Sequence, residues 1–248
     1  MSRHWLPAVL VLGAALAAST ACGSQNPPAA TPPATTTTAA ASAATLVSDI
    51  KSASQNASAV HIKGTVTGSG SGSGKISVDL QLNKDGSASG QLQESGQDLH
   101  IISVKGVVYV EFTASLMKGN GIDLNSAAGK LLLNKWVAST SKMLAGTDMV
   151  SGVKPLLDYS TFIGGMTQQI PAGTPKAGKA DVVNGTPVQL YTFSDGSMAD
   201  VATASPHYLT RLIPAAADGA GQVDFTNWNQ PVAVSPPPAS QIYSGPGA

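Results

Sequence analysis

Between residues 45 and 60, apolar side chains recur three and four positions apart. Leu46, Ile50, Ala53 and Ala57 fall on one side, with Asp49, Lys51 and Gln55 between them. This spacing predicts one amphipathic helix, with Thr45 placed to cap its start. From Val60 the period drops to two. In "VHIKGTV" (60–66) Val60, Ile62, Gly64 and Val66 alternate with His61, Lys63 and Thr65, and in "KISVDLQLN" (75–83) Ile76, Val78, Leu80 and Leu82 share one face. Both segments are expected to be half-buried strands, joined through the glycine- and serine-rich tip at 68–74. "KDG" (84–86) turns the chain into a weaker strand at 87–94, and Lys105-Gly106 joins "DLHIISV" to "VVYVEF" as a two-residue hairpin.

The period is mixed from Thr113 to Ile170. "KWVAST" (135–140) reads as a short strand, and 154–166 places Leu156, Leu157, Tyr159, Phe162, Ile163 and Met166 on one helical face. Strand patterning then returns. Asn184-Gly185, Asp195-Gly196 and Asp218-Gly219 separate further strand-like runs, as in an antiparallel meander. The expected order is a helix, about four strands, a helical insertion and about four more strands. A parallel α/β fold would need a helix between successive strands. The pattern therefore predicts an α+β fold: one strongly curved antiparallel sheet with helices packed on its concave face. The folded domain is assigned to 45–234, and 235–248 reads as a flexible, proline-rich tail.

Composition narrows the chemistry. Of 248 residues, 42% are hydrophobic and only 11% charged, and 14 Lys and Arg balance 14 Asp and Glu. No basic face is available to follow phosphates, so a nucleic-acid partner is not expected. A single cysteine excludes an internal disulfide and leaves no Cys/His spacing for zinc. No HExxH or GxSxG pattern occurs, so neither catalytic residues nor a metal or cofactor are expected. His61, His100 and His207 sit in strand-like runs as ordinary sheet residues. Trp136, Trp228, Tyr109, Tyr191 and Tyr208 are scattered in the manner of core aromatics. A curved sheet that its helices do not fill would enclose an apolar cavity suited to acyl chains. Its candidate wall is Val66, Ile76, Val78, Leu80 and Leu82 from the sheet with Leu156, Phe162, Ile163 and Met166 from the helix. The same residues equally describe a filled core.

The first residues differ from the rest. Arg3 precedes the apolar run 5–18 and the small residues Ser19, Thr20 and Ala21, the layout of a secretory signal over 1–21. The run is too short to span a bilayer. Cys22 then stands where the mature chain would begin. "STAC" (19–22) resembles the lipobox of bacterial lipoproteins, in which the cysteine is acylated, although Ser19 replaces the usual Leu. Residues 22–44 carry no charge and are rich in Pro, Thr and Ala, a composition for a flexible tether rather than a packed core. The expected location is the outer face of the cell membrane, with the chain anchored through Cys22.

The ordered set formed by this leader, "VHIKGTVTG", "VKGVVYVEF", "NKWV", "VNGTPV" and "VDFTNWNQPVAV" resembles the LppX/LprAFG group of actinobacterial lipoproteins. That group is similar in fold to LolA, LolB and the RseB sensor domain. The resemblance spans about 45–238. It implies a half-barrel whose cavity binds or carries lipids or acylated glycolipids in the cell envelope, with no catalytic residues to transfer. The alternative it allows is an RseB-like sensor with a filled core and an envelope protein as partner.

Overall fold

The computed structural model describes residues 42–68, 74–145 and 147–246. The leader, Cys22, nearly all of the tether and positions 69–73 of the glycine-serine tip lie outside the described residues. In chain order the elements are α1 (Leu46–Asn56), β1 (Ala59–Gly68), β2 (Lys75–Asn83), β3 (Ala88–Glu94), β4 (Gln97–Val104), β5 (Val107–Glu111), α2 (Ala114–Gly119), α3 (Ala127–Leu132), β6 (Trp136–Ala138), α4 (Asp148–Leu157), α5 (Tyr159–Gln168), β7 (Lys176–Val183), β8 (Thr186–Thr192), β9 (Met198–Ala202), β10 (Leu209–Ile213) and β11 (Gly219–Thr226).

The described strands belong to one 11-stranded sheet in the order β6-β5-β4-β3-β2-β1-β11-β10-β9-β8-β7. Every neighbouring pair is antiparallel. The sheet is open, with β6 and β7 as its edges. It consists of two meanders of consecutive strands joined where β1 pairs with β11, a contact between residues such as His61 and Thr226. Side chains from both meanders and from the helices meet in one apolar core. Leu46 and Ile50 of α1 and Ile163 of α5 lie there with Ile101 and Val110 on one side and Tyr191 and Val201 on the other. A sheet whose two halves bury the same face against the same helices curves around them, as the patterning predicted.

Local chemistry explains the elements. Lys105 and Gly106 both have positive φ, at 51° and 78°, as do Asn184 and Gly185 at 50° and 79°, the backbone of tight hairpins whose twist matches their strands. Gly64 and Gly221 stand near one another on adjacent strands, and a methyl group on either would overlap a carbonyl across the ladder, that of Gln222 or Thr65. Only residues without a Cβ let the strands approach in this way.

The helices depart from expectation in two places. Thr45 occupies the N-cap of α1 in near-helical conformation, and its hydroxyl donates to Asp49 Oδ2 at 2.7 Å instead of accepting from the first turn. The segment 154–166 is two helices rather than one face. Pro155 brings no N–H, Asp158 is extended, and Asp158 Oδ1 accepts from Thr161 N at 2.7 Å to start α5 afresh. The break resets the helical phase, so Leu157, Tyr159 and Ile163 are buried while Leu156 turns outward. The Tyr159 hydroxyl donates to Ser54 O and ties α5 to α1. Beyond β11, the chain read as a loose tail is bonded along the β6 edge. Trp136 bridges Ile242, Tyr243 N donates to Trp136 O at 2.8 Å, and Lys135 Nζ donates to Ser240 O at 2.8 Å.

Candidate functional site

Strand register arranges the helix-facing side of the sheet in rows that run across β11, β1, β2, β3 and β4. The first row is Phe225, Ile62, Leu80, Gly90 and Ile101; the second is Val223, Gly64, Val78, Leu92 and Leu99; the third is Gly221, Val66, Ile76, Glu94 and Gln97. In the first row every side chain larger than hydrogen is buried, in the second all five residues are half-buried, and the third is half-buried to exposed. The same face is thus sealed toward α1 and open toward the glycine-serine tip.

The expected wall divides along this gradient. Leu80, Leu82 and Ile163 are at most 1% exposed within the core, so no space of water size adjoins them. Val66, Val78, Phe162 and Met166 are half-buried, and the last three pack on that core. Ile76 is 38% exposed on the outermost row, and Leu156 is 36% exposed on the outer side of α4. The structure therefore brings Val66, Ile76 and Val78 together at the open end, leaves Leu80, Leu82 and Ile163 in filled core, and separates Leu156 from both.

The opposite face carries a cleft of about 720 Å³ that the sequence reading missed. Two polar rows build it. Asp224, Lys63, Asp79 and Gln91 form one, and Gln222, Thr65, Ser77, Gln93 and Asp98 the next. Asp79 takes Lys63 Nζ at 2.8 Å and His61 Nε2 at 2.7 Å. Burial alone would raise the Asp79 carboxyl, but these two partners hold it below the usual carboxylate range. Arg211 grips Asp224 with Nε and Nη2 at 2.6 and 3.1 Å, and this paired hydrogen bonding lowers the Asp224 carboxyl against its burial. Asp98 accepts from Gln93 Nε2 at 2.7 Å and Ser115 Oγ at 3.1 Å. At the centre, the small side chains of Thr65 and Ser77 share a hydrogen bond of 2.9 Å. Strand parity assigns Lys63, Thr65, Ser77 and Asp79 to the polar face, so half of this cleft was readable. The contribution of β11 was not, because it rests on a pairing distant in sequence.

The remaining candidates are dispersed. His100 bonds Glu111 at 2.6 Å across β4 and β5, and His207, which precedes β10 instead of lying in it, faces Ala202 O at 3.0 Å. Trp228 stacks on Tyr208 at 4.9 Å, Tyr191 is core, and none of the described tryptophans and tyrosines lines the cleft. Among the described residues no cluster of three His, Cys, Asp or Glu is disposed to hold a metal ion, and no helix is long and apolar enough to cross a membrane.

No protein-family model and no curated protein sequence matches the chain. Solved structures do. LprF from Mycobacterium bovis aligns over 79% of this chain and 96% of its own at 14% identity, with a TM-score of 0.51. The Mycobacterium tuberculosis lipoprotein LppX aligns over 78% and 98% at 16% identity, with a TM-score of 0.44. The Pseudomonas aeruginosa MucA/MucB complex aligns over 82% and 61% at 14% identity, with a TM-score of 0.31. The open antiparallel half-barrel of this chain is thus the fold of LprF, in agreement with the resemblance carried by its sequence motifs.

Proposed function

We propose that this chain is an exported lipoprotein, acylated at Cys22 and held at the outer face of the cell membrane, which binds the acyl part of a lipid or glycolipid at the open end of its half-barrel. It performs no chemistry of its own. The observation that carries the reading is the graded opening of the apolar rows. Val66, Ile76, Val78, Leu92, Leu99 and Val223 offer contiguous, incompletely covered apolar surface, and an alkyl chain laid there gains about 25 cal/mol per Å² removed from water. The LprF-like fold and the leader that precedes Cys22 support the same reading.

The test uses the Cys22→Ala chain, secreted by an actinobacterial host and purified without detergent. Organic extraction is expected to yield about one lipid per protein, and Val78→Gln with Leu92→Gln is expected to remove most of it. An extract free of lipid would overturn the carrier. The Cys22→Ala substitution also tests the anchor, since it should release the protein into the medium and abolish fatty-acid labelling. The second reading, an envelope sensor with a filled core and a protein partner, draws on the sealing of Leu80, Leu82 and Ile163. It is favoured by an empty extract from a well-folded protein.

A further inference from the structure

We propose that the polar cleft across β11, β1, β2, β3 and β4 is a second binding site, for a neutral carbohydrate. Its polar side chains lie on the face opposite the apolar rows, although Val78 and Leu92 of those rows also line it, and the proposal does not depend on the lipid reading. The argument starts from what the cleft has left to offer. Its volume of about 720 Å³ accommodates several sugar rings. Its charges are already engaged: Lys63 and His61 with Asp79, Arg211 with Asp224, and Gln93 and Ser115 with Asp98. An anionic ligand would have to displace Asp79 or Asp224 from these cations and would meet the carboxylate of Asp98. The uncharged groups remain, namely the hydroxyls of Thr65, Thr67 and Ser77 and the amide of Gln91, with the Gln222 amide held only by a 3.4 Å bond from its Nε2 to Asp224 Oδ1. They are spaced by the strand ladder and combine donors with acceptors. That is the complement of a chain of hydroxyl groups. The small central pair Thr65 and Ser77 forms the floor, and Gly64 and Gly221, where the strands approach closely, adjoin it. No described aromatic ring lines the cleft to stack on a sugar, so binding is weak for one oligosaccharide and strengthens on a polymer that fills many sites.

The test is a ¹H–¹⁵N NMR titration of the secreted Cys22→Ala chain with maltohexaose, cellohexaose and arabinogalactan, and with hexagalacturonate as an anionic control. The expected result is millimolar binding of at least one neutral ligand. Its shifts should be confined to the amides around Thr65, Ser77, Gln91 and Gln222 and should be insensitive to salt. Thr65→Val with Ser77→Ala keeps strand-compatible side chains and should weaken this binding about tenfold. Absence of shifts with all three neutral ligands overturns the proposal. So do shifts that vanish at physiological salt, a preference for hexagalacturonate, or binding that survives the double substitution in a protein with unchanged melting temperature.

Discussion

Leu80 and Ile76 occupy the same strand, share one face and are both aliphatic, yet Leu80 is 1% exposed and Ile76 38%. The contrast holds for whole rows. Phe225, Ile62 and Ile101 flank Leu80 and are buried, whereas Gly221, Val66 and Glu94 flank Ile76 and are not. Alternation decides which face a side chain joins. Whether it is then buried depends on what lies above it, and the described helices seal only one end of the sheet.

Four measurements probe this difference between the ends and between the faces. Leu80→Ala should cost about 3 kcal/mol and Ile76→Ala less than about 0.5 kcal/mol, read from urea unfolding; equal costs would abolish the distinction between the ends. Gly221→Ala forces a methyl group against the Thr65 carbonyl at a φ of 130° and should cost about 2 kcal/mol. A neutral result would show that the ladder joining the two meanders is pliable.

The third measurement compares carboxylates on the polar side. Asp200 is 6% exposed. Burial raises its carboxyl above the ordinary range, against the pull of Arg211. A raised folded-state value means that its contribution is fully present only below the ordinary carboxylate range and is lost as pH rises through the folded value. Asp200→Asn should therefore stabilise the protein by about 1 kcal/mol at neutral pH. Asp224 has the opposite sign. Its lowered carboxyl contributes above the ordinary range, and that contribution fades as pH falls, so Asp224→Asn should destabilise at neutral pH and flatten the acid limb. Thermal melts from about pH 3 to about pH 8, a span that brackets carboxylate titration, distinguish the two. The smallest effect is expected at Gly164, inside α5, where a Cβ would meet open space. Gly164→Ala should raise stability by about 0.5 kcal/mol in the same melts.

Much of this was legible in the residues. Leu46, Ile50 and Ala53 announce α1, and Lys105-Gly106 and Asn184-Gly185 announce their hairpins because two-residue turns demand positive φ. The face shared by Ile76, Val78, Leu80 and Leu82 is likewise visible. The division of the wall was not, since alternation is identical in Leu80 and Ile76. Nor was the outward turn of Leu156, although Pro155 and the capping carboxylate of Asp158 are signals for a break.

Helix α1, the hairpin turns and the parity of each strand follow from the residues alone, because dihedral preferences and side-chain alternation act within a few positions. Three features belong to the tertiary structure instead: β1 pairs with β11, that pairing sets Gln222 and Asp224 beside Thr65 and Lys63, and the residues around Ile242 cover the β6 edge. Such pairings carry the entropy of closing long loops. They form because the burial and hydrogen bonding of the whole sheet outweigh that cost, a balance that no local stretch encodes.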